Sequence, residues 1–267
     1  MKKILLLVLS LSPIVVKAQW GDIEIPNQKQ NGELVINGSR YVGEILNGKP
    51  NGKGVITYFN DINNQKSYDG NWVNGSREGY GTLIWNTEEK YVGNFNNDYM
   101  NGQGTYYYAD GGRYEGRFVN GACEGQGTYF WADGRKYSGG FKDGRFHGYG
   151  VFTTPQKEEY KGAWVNGMRN GRGELTLSDG TKYVGDFKND KRSGYGIVYW
   201  SNGQRYEGNW ENNNMSGQGS YFLSNGDKIL GSWYNNRLQG TGTYYWKSGK
   251  TGKVTMDNYG RFTAVGK

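Results

Sequence analysis

The chain has 267 residues, among them 46 Gly, 23 Tyr, 10 Phe and 9 Trp, but only 4 Pro, one Cys and one His. Glycine without proline excludes a collagen-like chain, and 16% aromatic content excludes a disordered one. One His and one Cys exclude a His/Cys metal or haem site, a His triad with a further His acid, and an internal disulfide.

Residues 1–18 read as a secretory signal: Lys2 and Lys3, then an apolar run from Ile4 to Val16, then Val16-Lys17-Ala18 as a small-residue cleavage site. Cleavage would leave Gln19 first, and the run is too short for a stable membrane anchor. Removing Lys2, Lys3 and Lys17 lowers the net charge from +7 to +4, too little to imply a nucleic-acid partner. With 35% hydrophobic residues and a mean hydropathy of −0.85, the full sequence is too polar for one large core.

Residues 19–40 read as an N-terminal cap containing half a repeat, and a repeat occupies 41–249. Tyr41, Tyr68, Tyr91, Tyr114, Tyr137, Tyr160, Tyr183 and Tyr206 are 23 residues apart, except for a first step of 27, and Ile229 takes the ninth place. With each of these numbered position 0, Gly stands at positions 2, 11 and 13 in all nine units, and Phe or Trp at position 4 in eight. Asn or Asp at position 6 followed by Gly, Asp or Asn at 7 predicts a type I′ hairpin turn. Triplets such as Ala109-Asp110-Gly111 and Ser178-Asp179-Gly180 at positions 18–20 predict a three-residue loop ending in a left-handed Gly with a G1 bulge.

These turns predict an all-β, single-layer antiparallel meander of hairpins, twisted and solenoid-like, with about 18 strands ~4.8 Å apart and hence an elongated body of roughly 85 Å. One face should carry positions 0, 2, 4, 11, 13, 15 and 17, with Tyr opposite the Gly at 13 and each position-4 ring opposite the preceding unit's Gly at 11. Residues 250–267 read as a C-terminal cap. Alternate positions are Gly or polar, so an outer-membrane barrel with its lipid-facing aliphatic band is not expected.

The motif Tyr-x-Gly-x-(Phe/Trp)-x-Asn-(Gly/Asp), then Gly-x-Gly, then Asp-Gly resembles the MORN (membrane occupation and recognition nexus) repeat over residues 41–249. The resemblance implies a β-hairpin array used as a scaffold or binding module, in a family linked to phospholipids and to protein partners.

Other motifs read as structure. Ser248-Gly249-Lys250-Thr251 ends like a phosphate-binding loop, but Tyr244 replaces the required earlier Gly and no strand-to-helix transition follows. Cys123, at position 9, reads as a packing residue opposite Phe118, and His147, at position 10, as an exposed polar residue. Arg77, Arg169 and Arg192 share position 9, and we expect them to support Trp72, Trp164 and Phe187 by cation–π contact, with an anion site as the alternative.

The chain therefore reads as an exported, non-enzymatic scaffold for protein–protein or envelope association, destined for periplasm, cell surface or medium. The alternative is binding of envelope glycans or anionic phospholipid head groups by the aromatic, Arg-bearing face. No cofactor, metal, nucleic-acid partner or transmembrane segment in the mature chain is expected. The candidate interaction surface comprises Trp72, Arg77, Tyr106, Tyr108, Tyr129, Trp131, Trp164, Arg169, Arg192, Trp200, Trp210 and Trp246.

Overall fold

The computed structural model describes residues 29–59 and 63–265; the signal read at 1–18 and most of the N-terminal cap lie outside them. The described residues form strands and turns with no helix. They fall into two compact units, Met1–Ala132 and Asp133–Lys267. In the first, strands run from Gln30–Ile36 to Ala122–Phe130, and in the second from Lys136–Lys142 to Phe262–Val265. Within each unit the strands pair antiparallel in chain order, except that Arg237–Leu238 and Gly242–Tyr245 both pair with Lys228–Tyr234, giving the open meander of hairpins that the turns predict.

There are 22 described strands where the repeat predicts about 18. Gln30–Ile36 adds one before the first repeat, with Leu34 opposite Tyr41. Thr251–Met256 and Phe262–Val265 extend the sheet after the last. The ninth unit's second strand is broken into Arg237–Leu238 and Gly242–Tyr245.

Both turns form as the residues dictate. Asn74 and Gly75 have φ of 50° and 91°, and Asn189 and Asp190 have 48° and 66°, the paired positive values of a type I′ turn. In the second turn the Gly180 amide donates to the Leu177 carbonyl at 3.0 Å and the Leu177 amide to the Thr181 carbonyl at 2.8 Å. Gly180 takes φ of 86°, and the Asp179 carboxylate accepts the Thr181 amide at 2.8 Å, completing the G1-bulged loop.

The register inside each hairpin departs from the expectation. Tyr183 is opposite Val198 at position 15, not the Gly at 13; Gly185 is opposite Gly196, and Phe187 is opposite Arg192. Ser193, Gly194 and Tyr195 thus bulge against the single residue Asp186, with Gly194 at φ of 65°. The Gly at position 11 is therefore the pivot of a bulge as well as the residue facing the next unit's ring, as Gly194 faces Trp210. The bulge leaves position 3 without a partner across the hairpin, and the Tyr hydroxyl fills that role. Tyr183 donates to the Asp186 carbonyl at 3.0 Å, Tyr137 to that of Gly140 at 2.9 Å, and Tyr41 to that of Glu44 at 2.7 Å.

The ring consequently lies flat over the two facing glycines, where an added methyl group at Gly185 or Gly196 would overlap it. Eight such tyrosines are at most 2% exposed. The position-4 rings stand edge-on between them: Phe187 is 5.2 Å from Tyr183, and Trp210 is 5.4 Å from Tyr183 and 5.4 Å from Tyr206. Where position 4 is Trp, its indole N–H donates to the preceding unit's position-13 carbonyl, as Trp210 does to Gly196 at 3.1 Å. The core is thus one continuous file of rings within each unit, built on a glycine floor.

Candidate functional site

The structure sorts the sequence candidates into three groups. Trp72, Trp164 and Trp210 belong to the core: they are 5%, 7% and 4% exposed, and their indole nitrogens are bonded to the carbonyls of Gly54, Gly150 and Gly196. They do not form a surface, because position 4 points into the file between two tyrosines.

Arg77, Arg169 and Arg192 form the second group, and their ring partners differ from those expected. Arg77 lies 5.7 Å from the Tyr68 ring and 5.4 Å from Phe95, Arg169 lies 5.5 Å from Tyr160 and 5.4 Å from Phe187, and Arg192 lies 5.6 Å from Tyr183 and 4.3 Å from Trp210. Each therefore stands between its own unit's Tyr and the next unit's ring. Each also reaches the next unit's type I′ turn: Arg77 pairs with Asp98 at 3.2 Å and Arg169 with Asp190 at 3.1 Å, while the Arg192 guanidinium donates to the Asn213 carbonyl at 2.9 Å. The arginines act as staples between consecutive repeats.

The third group lies on the rim above the second turns, at positions 15 and 17. In the first unit Trp85, Tyr106, Tyr108, Tyr129 and Trp131 follow one another with ring centroids 5.4, 4.6, 5.4 and 4.6 Å apart. All five are half-buried, so the row presents ring edges and faces at the surface. Burial pushes the Tyr106 hydroxyl up to about 12. In the second unit Trp200 lies 5.4 Å from Tyr221, and Trp246, 37% exposed, lies 4.8 Å from Tyr244. The structure therefore brings Tyr106, Tyr108, Tyr129 and Trp131 together with Trp85, which the sequence reading omitted although it shares their spacing.

A further column pairs Lys and Arg with the rings that position 16 places on the polar face, such as Tyr107 and Phe130, a pairing the repeat pattern alone does not state. The residue before the repeat Tyr is Lys or Arg in seven of nine units, on the face away from the core. Lys90 lies 4.4 Å from the Tyr107 ring and Arg113 3.8 Å from Phe130 in the first unit; Arg205 lies 3.8 Å from Phe222 and Lys228 4.6 Å from Tyr245 in the second. Glu115 and Glu207 pair with Arg113 and Arg205 at 2.6 and 3.7 Å. The signal lay in the Lys/Arg of position −1 and the aromatics of position 16, which become cross-strand neighbours once the register is known.

The remaining motifs are structural. The Gly249 amide donates to the Trp246 carbonyl at 2.9 Å and the Trp246 amide to that of Lys250, so Ser248-Gly249-Lys250 is a G1-bulged turn. His147 is half-buried in its bulge rather than exposed, with a buried Nδ1 that meets no partner. Cys123 is half-buried opposite Phe118. Burial pushes its thiol up to about 11, so at pH 8 it is protonated. With Ellman's reagent at pH 8, Cys123 should react about 100-fold more slowly in the folded protein than in urea. Equal rates would show that the thiol is not held in this way.

No group of residues suited to hold a metal occurs among the described residues, and no helix among them is long and apolar enough to cross a membrane.

Comparison with known proteins agrees with the repeat. Among solved structures, the G-box domain of the microcephaly protein CPAP is 11% identical, over 70% of this chain and 97% of that one, with a TM-score of 0.42. The TCP10c domain of Drosophila melanogaster Sas-4 is 14% identical, over 54% and 93%, with a TM-score of 0.28. Neither likeness bears on function, and no curated protein matches. The family model of the MORN repeat matches nine times, at residues 41–61, 68–88, 91–113, 114–134, 137–157, 160–182, 183–205, 206–228 and 230–251. By these nine matches, and by the Tyr-over-Gly hairpin that eight of the repeats form, the chain belongs to the MORN-repeat family.

Proposed function

We propose that the chain is an exported, non-enzymatic scaffold that binds a protein partner, or a cell-envelope component, along the aromatic rim of its repeats. The observation that carries this reading is the row Trp85, Tyr106, Tyr108, Tyr129 and Trp131. The fold's own core is complete with the rings at positions 0 and 4, yet five more rings are held half-exposed along one rim. Rings of this kind give large contact area at low entropic cost, and Tyr and Trp keep a polar atom for the partner. Export rests on the signal-like residues 1–18.

A second reading, binding of envelope glycans or anionic phospholipid head groups, draws on the Lys90, Arg113, Arg205 and Lys228 column on the opposite face. One experiment separates the two. The mature protein and a Tyr106→Ser/Tyr129→Ser/Trp131→Ser variant are compared for retention of native envelope proteins, purified envelope glycans and anionic liposomes at low salt. The scaffold reading expects one predominant protein held by the parent and lost by the variant. Retention on glycans or liposomes that the variant keeps favours the basic column, and identical protein retention by parent and variant overturns the rim as the docking surface.

A further inference from the structure

Arg77, Arg169 and Arg192 occupy the same place in three repeats, but only two of them have a counterion. Asp98 and Asp190 supply carboxylates to Arg77 and Arg169. The equivalent residue for Arg192 is Asn213, which accepts the Arg192 amide at 2.8 Å on its side-chain oxygen and the guanidinium Nη2 at 2.9 Å on its carbonyl. It reproduces the staple without the charge. Among the described residues no carboxylate pairs with Arg192, and its Nε and Nη1 make no hydrogen bond. Burial beside Tyr183 and Trp210 holds its guanidinium below the usual range.

A half-open cavity of about 160 Å³ adjoins this group. Leu175, Leu177, Tyr183 and Phe187 give it apolar lining, and the Arg169–Asp190 pair, Thr181 and Asn213 line it beside Arg192. The cavity has a cause in the sequence: positions 15 and 17, which carry rings between Tyr106 and Trp131, are Leu175 and Leu177 here. The rim thus lacks rings in the repeat that begins at Tyr160, directly before the repeat whose staple, Arg192, lacks a counterion.

We propose that this cavity binds a carboxylate carried on a compact apolar body, with the carboxylate on Arg192 and the body against Leu175, Leu177, Tyr183 and Phe187. The volume is close to that of a cavity known to take up benzene, about 150 Å³. A single carboxylate satisfies one guanidinium through charge-assisted hydrogen bonds. A phosphate dianion would leave further charged oxygens against an apolar wall, at a desolvation cost. Such a carboxylate belongs either to a free small acid or to the C-terminus of a chain ending in an apolar residue. The site is independent of the rim surface proposed above.

The test is calorimetric titration of the mature protein with benzoate and with N-acetylphenylalanine, each against its neutral amide. Both acids should bind saturably at one site, at least about tenfold more tightly than the amides, as expected for a charge-assisted hydrogen bond. The stronger acid identifies the source: N-acetylphenylalanine for a chain terminus, benzoate for a free acid. The decisive variant is Asn213→Asp, which gives Arg192 the counterion its two counterparts have. It should fold with an undiminished Tm and lose acid binding by about tenfold or more. Arg192→Met should lose binding as well. Equal affinity for acids and amides, undiminished binding by Asn213→Asp, or no saturable binding of either acid would overturn the proposal.

Discussion

Gly196→Ala should lower the stability of the second unit by about 1–3.5 kcal/mol, although Gly196 has an ordinary backbone conformation and alanine is the smallest possible replacement. The new methyl group overlaps the Tyr183 hydroxyl and ring, which cannot retreat because Phe187 and Trp210 stand edge-on at 5.2 and 5.4 Å. Displacing the ring also breaks the bond from its hydroxyl to the Asp186 carbonyl. Overpacking of this kind costs about 1–3 kcal/mol and the lost hydrogen bond about 1, against roughly 0.4–1 regained from a stiffer unfolded chain. Gly180→Ala is the matched control. Gly180 sits at φ of 86° with nothing near its added methyl, so the left-handed backbone penalty of about 1–2 kcal/mol stands against the same unfolded-chain gain, with no clash. Urea unfolding of both variants measures the difference. A Gly196→Ala loss no larger than that of Gly180→Ala would show that the ring does not depend on the glycine floor. In a double-mutant cycle with Tyr183→Leu, the Gly196→Ala cost should shrink, because the group it strikes has gone.

The second large effect is alkaline unfolding. The eight core tyrosines, Tyr41 to Tyr206, all have hydroxyls that burial pushes upward, Tyr160 to about 12 and the others further. An unfolded tyrosine ionises near 10. A raised value in the folded state means that the folded protein binds these protons more tightly. Their contribution is therefore fully present below about pH 10 and is lost as the pH rises through the folded values. Eight such groups act together, so the urea midpoint should stay level from pH 7 to 9 as far as these groups govern it, and fall steeply above pH 10. Tyrosinate absorbance from the core should appear in step with loss of the fold. Core tyrosinate appearing at ordinary pH while the sheet remains intact would contradict the burial of the file.

How far the sequence reveals this molecule varies by residue. Asn189-Asp190 and Ser178-Asp179-Gly180 announce their turns locally, because paired positive φ values and a left-handed Gly are conformations that few other residues accept. The hairpin register was less accessible. Counting outward from a two-residue turn places Tyr183 opposite Gly196, and only the bulge at Gly194 moves it to Val198. A glycine that serves as a bulge pivot looks in sequence like one that leaves space for a ring. The candidate surface suffered from the same ambiguity. Trp210 and Trp246 are the same residue type on the same face, yet one fills the file at 4% exposure and the other stands on the rim at 37%. Arg192 was legible as a cation beside rings, but its lack of a counterion depends on Asn213 a repeat away, a pairing that no local pattern states.

Within a compact unit the amide at the tip of a type I′ turn binds the preceding repeat: that of Asp190 donates to the Arg169 carbonyl at 3.0 Å and that of Asn213 to the Arg192 carbonyl at 3.0 Å. Together with the position-4 ring seated over the previous glycine floor, this makes consecutive repeats within a compact unit lid and base to one another. A fold assembled by such identical hand-offs has no privileged length. Whole units of 23 residues can be gained or lost by duplication or deletion without disturbing turn chemistry, face or register elsewhere. Within such an array, individuality resides in the substitutions that break the pattern, as Leu175, Leu177 and Asn213 do.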